Sequence, residues 1–287
     1  MFEVVLNGLI LGGMYGLIAL GLNLQYGIAR MLNLSYGEFF TAGAFSSFFA
    51  VTLYHLNPMF GLLVSVPASF ALNWLIYRFL LLPLIRRAPN QDALDGDVVL
   101  LTFGLLFVFQ GLEQVYWGGN VRAYYYLSFS VDFLGARLPA NRLVAFFAAL
   151  VLGGLLILAL HKTRIGTALR AIAIDPIAAG LTGINVLNLS ALAYALGGAM
   201  VAISGALVSM FLASSASAGI VYTLKALIVI IVGGPGRMGG ALAAGMLLGV
   251  AEQVGGYLVD PGLTLAINYS ILILVLLIRP TGLFARG

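Results

Sequence analysis

The sequence predicts an all-α polytopic membrane protein with eight or nine transmembrane helices, some short or broken, its N-terminus outside and its C-terminus inside. Three observations predict this. Of the 287 residues, 62% are hydrophobic and 8% are charged, and mean hydropathy is +1.07, far from the balance of a soluble domain. The apolar residues come in stretches near the roughly 20 that cross a hydrocarbon core. Lys and Arg concentrate in the connections on one side, as cytoplasmic loops do. No linker divides the chain, which reads as one transmembrane domain over 1–287.

The expected spans are 4–28, 36–54, 59–81, 98–117, 143–160, 189–212, 219–232, 240–258 and 263–278. The seventh and ninth are short, as expected of helices that are tilted, broken or partly buried in protein. The first has no Lys or Arg before Arg30, so it lacks the basic start of a cleaved signal and is expected to stay in the mature protein. Its Gly8, Gly12 and Gly16 form a row of small residues on one helix face, against which another helix of the chain or another subunit can pack closely. In "GIARMLNLSYG", Arg30, Asn33 and Ser35 interrupt the apolar pattern, so a turn or broken helix must lie there, at the cytoplasmic edge or shielded by protein. Residues 118–142 form an outer loop whose Tyr124, Tyr125 and Tyr126 suit either an interfacial aromatic belt or a docking surface. With nine crossings, the inside connections take Arg30, Arg78, Arg86, Arg87, Lys162, Arg164, Arg170, Arg237, Arg279 and Arg286 of the 14 cations. Arg122, Arg137, Arg142 and Lys225 fall outside.

Several chemistries are missing. Zero cysteines exclude disulfides, thiolate metal sites and a Cys nucleophile. Neither Lys162 nor Lys225 sits in a P-loop, and His55 and His161, placed in different loops, form no zinc motif. No nucleophile elbow is present, so the chain reads as no enzyme, with no metal, cofactor or nucleic acid of its own. Glu38, Glu113 and Lys225 lie within a turn or two of span ends, where they can snorkel or pair at helix ends. Glu252 lies deeper and faces a cavity or a neighbouring helix. These groups are too few for ion coupling to be the first reading, although an ATPase-independent channel or secondary transporter for small polar solutes is the alternative.

The stretch "HKTRIGTALRAIAIDP" is the basic exception in an apolar chain. Thr163 can cap a helix over 165–174, which Asp175-Pro176 stops because the residue before proline is pushed out of the α region. Asp175 can then cap a second helix, 176–181, with Pro176 at its first position and Gly183 beyond its end. Ile165, Leu169 and Ile172 form one apolar stripe, with Arg170 on another face. A helix lying on anionic lipid would share that pattern but leaves the break and the second helix unexplained.

Together these features resemble the permease subunits of branched-chain amino-acid ABC importers, the LivH type. The resemblance is carried by "NGLILGGMYGLIALGLNLQYGIARMLNLSYGEFFTAGAF", "TRIGTALRAIAIDPIAAGLTGIN", "LKALIVIIVGGPGRMGGALAAGMLLGVAE" and "RPTGLF", in that order over essentially the whole chain. It departs at Pro235-Gly236-Arg237, where a Leu-Gly-Ser-like run is expected. The resemblance implies a multi-pass protein of the bacterial inner membrane that imports by alternating access. Its implied partners are a second permease, either a related LivM-like chain or a second copy, two ATP-binding cassette subunits that bind ATP and Mg, a periplasmic binding protein, and membrane lipid. It makes 161–185 the segment that couples to the ATPase, with Thr163, Ile165, Gly166, Leu169, Arg170, Ala171, Ile172, Asp175, Ala179 and Gly183 at its positions. Arg170 is then the expected polar contact and the stripe the rest of the dock. Asn23, Gln25, Asn33, Ser35, Glu38, Gln110, Glu113 and Glu252 are the expected path or gate residues.

Overall fold

The computed structural model describes residues 1–133 and 135–284, so Arg286 lies outside the described residues. Helices dominate: α1 (Phe2–Ala29), α2 (Glu38–Thr52), α3 (Met59–Leu75), α4 (Leu82–Arg87), α5 (Gln91–Trp117), α6 (Ala140–Lys162), α7 (Arg164–Ile174), α8 (Pro176–Leu181), α9 (Val186–Val208), α10 (Ala218–Gly233), α11 (Met238–Leu258) and α12 (Thr264–Ile278). Among the described residues, six runs are long and apolar enough to cross a membrane: α1, the α3–α4 run, α5, α6, α9 and α11. The expected short spans are α10 and α12, of 16 and 15 residues. The second span is short as well, because a 3₁₀ turn at Leu34–Gly37 precedes a 15-residue α2.

Two other boundaries move for local reasons. The expected fourth span begins earlier, at Gln91, because the Asn90 side chain accepts from Ala93 N (2.8 Å) and caps a first turn carrying Asp92. Such a polar start suits a helix N-terminus but lies outside any apolar window. The third continues through a π-helical turn, Ile76–Leu81, into α4. Pro83 has no N–H for the carbonyl four residues back, and a widened turn accommodates that loss. His161 belongs to the last turn of α6 rather than to a loop.

One element departs from the all-α expectation. In the outer loop, β1 (Ser130–Phe133) pairs antiparallel with β2 (Ala136–Pro139), placing Val131 opposite Leu138. An isolated hairpin is marginal in water. Here Leu138 is buried with Ile10 and Leu143, and the Arg137 amide donates to Glu3 Oε1 at 3.3 Å. A second tie joins the Arg122 and Ser214 backbones through bonds of 2.8 and 2.9 Å.

The molecular core forms around α1 and α9, which are largely buried, whereas α3, α5 and α6 leave most of their surface outward. The glycine row of α1 packs within the chain. A Cβ on Gly12 would stand 2.5 Å from Met246 Cα, and one on Gly249 would strike the Gly12 backbone. Gly8 meets Val250 and Gly16 meets Leu242, so the two helices run antiparallel at backbone contact distance.

Candidate functional site

The end of the molecule where α1 and α6 finish carries the helix–break–helix. Thr163 Oγ1 accepts from Gly166 N at 3.0 Å, and Asp175 Oδ1 accepts from Ile177 N and Ala178 N at 2.9 and 3.0 Å. Gly183 takes φ +85°, a conformation that favours glycine, and turns the chain toward α9. Gly166 lets α7 fold back beneath α6, since a Cβ there would lie 2.5 Å from the Ala159 carbonyl oxygen.

The apolar stripe does not face outward as the docking expectation requires. Leu169, Ile172 and Ala179 are buried against Leu24, Ile28, Leu160 and Ala193, Ala171 is half-buried, and only Ile165 of the stripe is exposed. An amphipathic helix buries its stripe on the nearest apolar surface, here its own chain. The outward apolar surface is instead Ile174 (81% exposed), Ile177 (77%) and Leu181 (85%). Arg170 is exposed and donates to Thr167 Oγ1 at 3.3 Å. Arg30, which ends α1 in the left-handed region at φ 52°, donates from Nη2 to the Ala173 and Ile174 carbonyls at 3.3 and 3.2 Å. It ties a membrane helix to the C-terminus of α7.

Most of the expected path residues serve as braces. Gln25 Nε2 donates to the Tyr194 carbonyl (2.8 Å) and Asn73 Oδ1 (3.3 Å), and Gln25 Oε1 accepts from Asn33 Nδ2 (3.4 Å). Asn33 Oδ1 in turn accepts from the Ser35 amide and hydroxyl. Asn23 Oδ1 accepts from Gly236 N at 2.7 Å, fixing the loop between α10 and α11. Deeper, Lys225 Nζ donates to both Glu252 oxygens (2.9 and 3.0 Å) and to the Tyr15 hydroxyl (2.5 Å), while Asn268 Nδ2 donates to Glu252 Oε2 (3.0 Å). Lys225 therefore does not snorkel, and Glu252 is held in an ion pair joining α1, α10, α11 and α12. Burying such a pair is tolerable because each Glu252 oxygen also accepts from a further group, Oε1 from the Tyr15 hydroxyl and Oε2 from Asn268.

Glu38 and Glu113 do not reach solvent either, with 2% and 6% of their surfaces exposed. They line a cavity of about 710 Å³ between α2, α3 and α5, walled by Phe39, Phe49, Phe109 and Leu112. Thr41 Oγ1 donates to Glu113 Oε2 at 2.6 Å, whereas among the described residues the oxygens of Glu38 have no hydrogen-bond partner apart from the adjoining Glu113 carboxyl. Gln110 is half-buried and does not line this cavity.

Residues 4–278 match the family described as branched-chain amino acid transport system / permease component. The chain belongs to this family. Among relatives of this permease, the high-affinity branched-chain amino acid transport system permease protein LivH of Salmonella typhimurium is 28% identical, over 99% of this chain and 95% of its own. The corresponding protein BraD of Pseudomonas aeruginosa is 29% identical over the same shares. The permease's fold also resembles a solved structure described as PsaBC from Streptococcus pneumoniae in complex with Fab. That likeness has a TM-score of 0.53 and 12% identity, over 98% of this chain and 94% of the other.

For this permease, the sequence reading placed Arg30 at a turn but missed its bonds to α7, and it missed the Ile174–Ile177–Leu181 surface. Their signal is visible in retrospect. Three aliphatic residues recur at spacings of three and four across a break that already marks the segment as exposed.

Proposed function

We propose that this permease is the membrane-spanning subunit of an ATP-driven importer that moves branched-chain or related hydrophobic amino acids by alternating access. In this reading it is a multi-pass protein of a bacterial inner membrane, N-terminus outside, with α7–α8 in the cytoplasm. It pairs with a second permease, related or identical, and with two ATP-binding cassette subunits that hold ATP and Mg. A periplasmic binding protein delivers the substrate at the hairpin end.

The observation that carries the reading is the exposed aliphatic surface of α7–α8 on a rigidly braced support. Burying Ile174, Ile177 and Leu181 in a partner's cleft is worth roughly 1.5–3 kcal/mol for each side chain. Arg30, the buried Leu169 and Ile172, and the two capped helices would carry a push on that surface into α1. Arg170 stands beside it as a polar contact that an acidic partner side chain can meet. The positive-inside distribution supports the orientation, since Arg30, Arg170 and Arg237 line cavities at this end.

Co-purification tests the reading. The wild-type chain is expected to carry the ATPase subunits through detergent extraction, and I177D/L181D to lose them and ATP-coupled leucine uptake while remaining folded. ATPase retention by that variant, with full uptake, would contradict the proposed coupling role of this surface.

A further inference from the structure

Resting on the importer reading, we propose that the cavity between α2, α3 and α5 is a seat for the transported amino acid, with Glu38 and Glu113 taking its ammonium group. Glu38 is almost wholly buried in the wall of this cavity beside Glu113, and among the described residues no other group donates to its oxygens. Two carboxyls side by side in a dry site repel one another unless a proton or a cation lies between them. Glu113 lines the same cavity and spends one oxygen on Thr41, leaving acceptor capacity on the other. An ammonium group supplies three donors and a positive charge, which answers both carboxyls at once.

The rest of the cavity suits the rest of such a ligand. Its volume, about 710 Å³, lies within the range of small-molecule sites. Phe39, Phe49, Phe109 and Leu112 offer an apolar wall for an aliphatic side chain. The ligand's own carboxylate is repelled by the pair, so the amino end goes in first. Glu113 lies four residues before Trp117, the end of α5 nearest the outer loop, which in the proposed orientation is where the binding protein delivers.

The test uses the whole complex of permeases, ATPase and binding protein in proteoliposomes. In E38Q/E113Q, leucine uptake is expected to fall about tenfold or more, while ATP hydrolysis stimulated by the leucine-loaded binding protein is retained. Wild-type uptake by this variant would overturn the seat. Absence of ATP-coupled uptake in the wild-type complex would instead sink the importer reading. A second measurement does not depend on the variant folding: carbodiimide labelling of Glu38 in the wild-type complex, read by mass spectrometry. Isoamylamine, which carries leucine's amine without its carboxylate, is expected to protect Glu38, and 4-methylpentanoate is not. Equal protection by both, or none by the amine, overturns the proposal.

Discussion

Arg30 and Lys225 show how single cations are used in this chain. The Arg30 guanidinium meets the last carbonyls of α7, where a positive charge also complements the helix dipole. In this exposed setting, Arg30→Ala is expected to cost about 1 kcal/mol locally. Amide hydrogen exchange across α7 should quicken several-fold, and unchanged exchange would show that Arg30 does not hold the helix. Lys225 is a different case because it is buried with its partner. Lys225→Met leaves Glu252 as an uncompensated buried charge and should lower unfolding stability in detergent by about 3–5 kcal/mol. Replacing both residues by Met should recover part of that loss, and a thermal-melt double-mutant cycle measures the coupling.

At the scale of elements, much was legible because it depends on local chemistry. Thr163, Asp175-Pro176 and Gly183 determine caps, a break and a turn within a few residues, and the structure places each where its chemistry requires. What was not legible depends on contacts distant in sequence. The Ile165–Leu169–Ile172 stripe announced a buried face but not whether this chain or a partner buries it. The answer lies in Leu24, Ile28 and Ala193, far away along the chain. Lys225 and Glu252 looked like unrelated groups until α10 and α11 brought them within 2.9 Å, a contact spanning 27 positions. The outer hairpin was missed because its strands are four residues long and sit among aromatics that suited an interfacial belt equally well. The glycine row could be read as a packing face, and its partner is the matching row of Gly245 and Gly249. Gly12→Leu should therefore force α1 from α11 and lower the yield of folded protein, as size-exclusion chromatography in detergent would report. A normal profile and melting temperature would show that the contact tolerates a side chain.

On the scale of the whole molecule, the arrangement connects two structurally distinct ends. The helix–break–helix and Arg30 lie at one end, the hairpin and the Arg122–Ser214 tie lie at the other, and α1 and α9 form the buried spine between them. Exposed faces of α3, α5 and α6 leave room for a second permease or lipid against the same core. In the proposed importer, Ile174, Ile177 and Leu181, not the buried stripe, meet the ATPase. The chain has no cysteine, so single cysteines can be introduced without background. The most direct measurement is crosslinking from I177C and, separately, L169C in the assembled complex. A crosslink to the ATPase subunit from I177C and none from L169C is the predicted result. A crosslink from L169C alone, or attachment of I177C only to a lipid-borne probe, would contradict it.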